Sequence, residues 1–123
     1  MFVALSPTHP DPMYKQVTDQ IRDAIAAGDL NPNERLPSVR ELAEALNVSA
    51  ITIKRAYQDL ETQGLILTRA GLGSFVALVE RDDLRERKLA EVREELRRLV
   101  RSSAKFGISA SDIVRLARQV EED

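Results

Sequence analysis

The chain contains no cysteine, no tryptophan and a single histidine, His9. Disulfides, Cys-ligated zinc and thiol catalysis are therefore excluded, and a reducing, cytoplasmic location fits. Aromatic residues make up only 4% of the sequence, too few for a stacking surface that would hold single strands or sugars. No apolar run approaches the ~20 residues needed to span a bilayer, so no membrane segment is expected. No basic stretch leads into an apolar one at the N-terminus, so no signal peptide is expected. No Ser/His/Asp set, zinc-ligand spacing or phosphate-binding glycine loop is present. No catalytic residue, metal or cofactor is predicted. His9 reads as an unconstrained surface residue.

An excess of positive charge is also missing. The net charge is −2 over 123 residues. Residues 1–79 hold 7 Lys/Arg against 9 Asp/Glu, and residues 80–123 hold 11 of each. A general nucleic-acid binder would be basic. If DNA is the partner, its phosphates must be met by cations concentrated on one face.

What is present is a set of short helices with clear punctuation. Residues 1–11 have little periodicity and read as a loose N-terminal arm. Asp11-Pro12 reads as an N-cap followed by proline at the first helical position. Tyr14, Val17, Ile21, Ala24 and Ile25 then form one stripe, and Gly28 ends a helix over 12–27. Residues 28–37 are turn-rich. Ser38 and Glu41 form a capping box, ahead of a second helix with its stripe at Val39, Leu42, Ala43 and Leu46. Asn47 tolerates the left-handed conformation that ends this helix. Ser49 caps a third helix, whose stripe is Ile53, Ala56, Tyr57 and Leu60 and which Gly64 closes. Three residues between the helices, Asn47-Val48-Ser49, make a tight turn, with Val48 plugging the angle. Strands over 65–68 and 74–79 flank the loop Arg69-Ala70-Gly71-Leu72-Gly73. The fold class is mainly α with a small β-wing. A winged helix-turn-helix spans 12–79 and a two-helix C-terminal dimerisation region spans 80–123.

The third helix is the candidate recognition helix. Its buried stripe leaves Ile51, Lys54, Arg55 and Gln58 on the opposite face. Its first turn, Ala50, Ile51 and Thr52 after Ser49, is where such a helix meets base edges. Lys54 reaches phosphate or a guanine edge, Thr52 can do either, and Ile51 suits a thymine methyl group. Arg40, in the first turn of the helix that crosses the DNA backbone, can contact phosphate; a surface pair with Glu44 is the alternative. Arg35 adds phosphate charge. In the wing, Arg69 supplies a cation, and Gly71 and Gly73 permit positive φ and close approach to a sugar-phosphate wall.

Three separated blocks in this order resemble the GntR family of bacterial regulators. They are Leu36-Pro37-Ser38-Val39-Arg40-Glu41-Leu42-Ala43, the run from Thr52 to Ile66, and Gly71-Leu72-Gly73-Ser74-Phe75-Val76. The resemblance covers about residues 12–78. It implies DNA contacts at Arg40, Ser49, Thr52, Lys54 and either Gly71 or Gly73. It does not carry the operator sequence over, since Ala50 stands where some members place Arg and Ile51 where polar residues are common.

Residues 80–105 are dominated by Arg, Glu and Lys, with Leu84, Leu89, Val92, Leu96, Leu99 and Val100 in nearly heptad spacing. A last helix, opened by a Ser109/Asp112 capping box, carries Ile113, Leu116 and Val120. Two helices are too few for the large effector domains of most GntR members and resemble the short YtrA-type tail. An apolar stripe on a charged helix needs a partner to bury it. Burial of Leu89, Val92, Leu96 and Leu99 between protomers would contribute roughly 1.5–3 kcal/mol each; folding back onto the chain's own winged domain is the alternative. The leading expectation is a homodimeric, sequence-specific regulator of double-stranded DNA, a repressor acting at a pseudo-palindromic operator. The other open reading is a winged-helix protein-interaction module without sequence-specific DNA binding. The sequence does not specify a small-molecule effector.

Overall fold

A computed structural model describes residues 3–123. Met1 and Phe2, the start of the expected arm, lie outside the described residues. The elements follow as α1 (Met13–Ala27), α2 (Val39–Leu46), α3 (Ala50–Thr62), β1 (Ile66–Arg69), β2 (Gly73–Val76), α4 (Arg81–Ala104) and α5 (Ala110–Glu122). The chain divides into two compact units, one running through Arg81 and the other from Asp82 onward.

The first unit is built on the apolar stripes of its three helices. Val17, Ile21 and Ile25 of α1 are buried with Leu42 and Ala43 of α2 and Ile53, Ala56, Tyr57 and Leu60 of α3. Leu36, Leu65, Ile66 and Val76 complete the core. The buried Tyr57 hydroxyl donates to the Pro37 carbonyl at 2.6 Å, which ties α3 to the segment entering α2. Burial pushes the pKa of that phenol well above its ordinary value. Val39 and Leu46, expected in the buried stripe, are only half-buried.

Two details at the N-terminal side differ from the sequence reading. The helix starts at Met13, and Pro12 occupies the N-cap position with ψ 154, in place of Asp11. Proline fits there because its extended ψ lies outside the helix while its carbonyl accepts from the amides of Lys15 and Gln16 at 3.1 Å. The arm is also not loose from Val3 onward. Val3 is buried. The Gln20 side chain accepts from the Ala4 amide at 2.9 Å and donates to the Ala4 carbonyl at 2.7 Å. Buried Gln16 accepts from the Ser6 amide and donates to the carbonyls of Ser6 and Asp11. Two glutamines one turn apart thus satisfy the arm's backbone much as a neighbouring strand would. His9 is held as well: its Nδ1 accepts from the Asp11 amide at 3.0 Å.

β1 and β2 pair antiparallel, with Ile66 opposite Val76 and Arg69 opposite Gly73. The first strand starts one residue later than expected because the Leu65 amide is spent on the Leu60 carbonyl at 2.9 Å, closing α3. The second runs from Gly73 only to Val76. A third segment joins them. The Leu36 amide donates to Ser74, the Val76 amide to Glu34 and the Asn33 amide to Val76, all at 2.8–2.9 Å. Residues 33–36, expected as part of a turn-rich loop, therefore form a short edge against β2.

The second unit is two helices joined by a turn at Gly107, whose φ is +75. The Ser109/Asp112 capping box opens α5. Hydrogen bonds from the Ser109 amide and hydroxyl hold the Asp112 carboxyl below its ordinary pKa, with Arg115 adding to the effect. Neither helix contains a buried residue.

Candidate nucleic-acid interface

The α2-turn-α3 segment is fixed by local hydrogen bonds before any tertiary contact is counted. Ser38 Oγ accepts from the Glu41 amide at 3.0 Å, and the Ser38 amide donates to Glu41 Oε1 at 3.3 Å. Hydrogen bonds to the Glu41 carboxyl from the Ser38 hydroxyl and then the Ser38 amide, followed by the Arg35 charge, lower the Glu41 pKa. Asn47 takes up φ 55, ψ 48, the left-handed conformation that turns the chain. The Val48 amide returns to the Ala43 carbonyl at 3.0 Å. Ser49 Oγ then accepts from the Thr52 amide at 3.2 Å and lies 2.9 Å from the Thr52 hydroxyl. The angle between α2 and α3 is thus set by residues that can be read in sequence order.

This geometry sorts the predicted side chains into two kinds. The hydroxyls of Ser38, Ser49 and Thr52 are occupied in caps. Arg55 is occupied too, its guanidinium lying 3.7 Å from the centroid of the Tyr14 ring. Ala50, Ile51, Arg40 and Lys54 are exposed. Among the described residues, Arg40 and Lys54 have no side-chain hydrogen bond or ion pair, so the Arg40–Glu44 pair does not form.

The wing carries a second group. Arg69 lies 4.6 Å from the centroid of the Phe75 ring and donates to Asn33 Oδ1 at 3.3 Å. Asn33 is itself left-handed, at φ 68. Arg35 bridges to Phe75 through the backbone. A Cβ added at Gly73, where φ is +118, would stand 3.1 Å from Arg35 Nε. Glycine at 73 therefore lets the Arg35 side chain cross the strand. Gly71, at φ +75, has open space around its Cα. Leu72 between them is exposed.

Sequence reasoning missed Tyr14, Asn33 and Phe75 as supports of these arginines. An asparagine in a turn-rich stretch signals a possible left-handed residue. The two aromatic partners carry no such local signal. In the tail, Leu89, Val92, Leu96, Leu99, Leu116 and Val120 are exposed, while Leu84 and Ile113 are half-buried. No described helix is long and apolar enough to cross a membrane, and no described group of His, Asp or Glu is arranged to hold a metal.

Known proteins share this arrangement. The family description "Bacterial regulatory proteins, gntR family" matches residues 13–76. The HTH-type transcriptional repressor YtrA of Bacillus subtilis is 27% identical, over 98% of this chain and 93% of its own length. The HTH-type transcriptional regulator Rv1152 of Mycobacterium tuberculosis is 35% identical, over 91% of this chain and 88% of its own. Among solved structures, the AraR DNA-binding domain in complex with operator ORX1 matches with a TM-score of 0.55 at 35% identity. It covers 61% of this chain and 93% of that one.

Proposed function

The chain belongs to the GntR family of bacterial transcription regulators, and from this premise we propose that it is a repressor that grips a pseudo-palindromic operator as a homodimer. One observation carries the reading. Arg40 and Lys54 stand exposed on a capped α2-turn-α3 frame with nothing in the described chain to neutralise them. In a segment with more acids than bases, two unpaired cations beside the recognition turn mark the face that meets phosphate and base edges. Residues 12–79 form the reading domain, and Arg35, Arg69, Gly71 and Gly73 bring its wing to the adjacent backbone.

Residues 80–123 supply the dimer. Their helices expose Leu89, Val92, Leu96 and Leu99 on α4 and Leu116 and Val120 on α5. A second copy buries these rows, with Leu84 and Ile113 at their edges. Two-fold pairing then sets half-sites about one helical turn of DNA, or a multiple of it, apart. So few cations per protomer make single-copy binding weak, and pairing two readers raises the affinity without new contacts. Such a regulator works in the cytoplasm, where its DNA is.

The test is a titration of the full chain against its own promoter region and against unrelated duplex. Salt-sensitive binding that prefers the promoter supports the reading. Lys54→Ala and Arg40→Ala should each weaken that binding while thermal unfolding is unchanged. Sequence-blind binding, or unchanged affinity in both variants, contradicts it.

A further inference from the structure

Ile51 is 79% exposed in the first turn of α3. The other large apolar side chains of that helix, Ile53, Tyr57 and Leu60, are buried. Nothing in the fold calls for an isoleucine here. Its helix propensity is below that of Ala, Lys or Glu, its exposure forgoes burial energy, and the helix start is already capped by Ser49. Its neighbours are constrained. The Thr52 hydroxyl is tied to Ser49 and the Arg55 guanidinium to Tyr14. Ile51 and Lys54 are the long side chains left to address base edges from the start of α3.

We propose that Ile51 reads thymine in the major groove through the base's 5-methyl group. The inference rests on the DNA-binding reading above. The thymine methyl is the apolar feature of the major-groove edges, and an exposed β-branched side chain held on a rigid helix is its natural complement. Ile51 and Lys54 are three residues apart, so their Cβ atoms lie about 5–6 Å from each other on one helix face. That separation spans one to two base-pair steps of roughly 3.4 Å. The thymine is therefore adjacent, or next but one, to the base pair that Lys54 contacts.

The experiment selects an operator from random duplex with the full chain, then replaces each thymine in turn with deoxyuridine, which removes only the methyl group. At one thymine in each half-site, wild-type protein should lose about fourfold in affinity per methyl, as expected for one buried methyl-sized group. Ile51→Ala should bind the thymine operator more weakly and no longer distinguish the two bases there. Ile51→Val, which keeps the branched surface, should retain most of the discrimination. Exposure of the site means all three proteins should melt alike. Persistent discrimination in Ile51→Ala, or a selected operator with no methyl-sensitive thymine, overturns the inference while leaving the DNA-binding reading intact. Failure of wild-type protein to enrich any operator overturns both.

Discussion

Replacing Gly73 with alanine probes the wing where its geometry is tightest. At φ +118 an L-residue sits outside the ordinary left-handed well, and such strain costs about 1–3 kcal/mol. The new Cβ also falls 3.1 Å from Arg35 Nε and 3.6 Å from its Nη2. The flexible end of Arg35 can move aside, so the contact adds little to unfolding but displaces a cation proposed to meet phosphate. Gly71→Ala is the natural control. Its φ of +75 also disfavours a side chain, but its Cβ meets nothing within 4 Å, so its cost stays near the roughly 1–2 kcal/mol of a single left-handed residue. For a domain of this size each kcal/mol lowers Tm by about 4–8 °C. Gly73→Ala should therefore melt several degrees below Gly71→Ala in a thermal scan followed by circular dichroism. It should also lose more operator affinity. In an Arg35→Ala background the extra loss from Gly73→Ala should shrink, because the displaced group is already gone. Equal melting of the two glycine variants, or an affinity loss independent of Arg35, would refute this account of the wing.

Two further outcomes follow from other parts of the chain. Glu41 has a folded-state pKa below its ordinary 4.5, so its contribution is complete above that value and is lost as pH falls through the lowered one. Between about pH 5 and pH 3 the wild-type protein should lose more stability than Glu41→Gln, read as urea midpoints; parallel curves would discount the capping box. In the tail, Leu96→Glu places a charge where each protomer is proposed to bury a leucine. Since a buried leucine contributes about 1.5–3 kcal/mol and a dimer holds two, dissociation should strengthen by at least about a hundredfold in sedimentation. An unchanged dimer would move the interface elsewhere.

The parts of this fold that sequence reveals are those whose partners lie three or four residues away. Ser38 with Glu41, Ser49 with Thr52 and Ser109 with Asp112 are local pairs, and these three caps form, whereas the expected Asp11 cap does not. Asn47 and Gly28 are left-handed at the helix ends they were expected to close. What escaped the sequence depends on distant partners. Residues 33–36 look like loop because their hydrogen-bonding edge belongs to β2, some forty residues on. The arm looks loose because its backbone partners are two glutamine side chains of α1, residues whose usual place is the solvent. Arg55 reads as a free cation until Tyr14, from another helix, is placed beneath it. For the candidate interface, sequence placed Ile51, Lys54, Arg55 and Gln58 opposite the buried stripe of α3, where they are exposed, but could not separate side chains already engaged from those left available. That division leaves Arg40, Ile51 and Lys54 exposed, and these are the proposed readers.

Pairing in the proposed dimer joins two weak readers into one tight one. It is tested most directly by comparing the full chain's affinity for its operator with its affinity for the same duplex carrying one scrambled half-site. The account predicts one dimer per intact operator and a loss of about a hundredfold or more on scrambling, the scale expected when the second contact is intramolecular. Equal affinity for the intact and the half operator would contradict it.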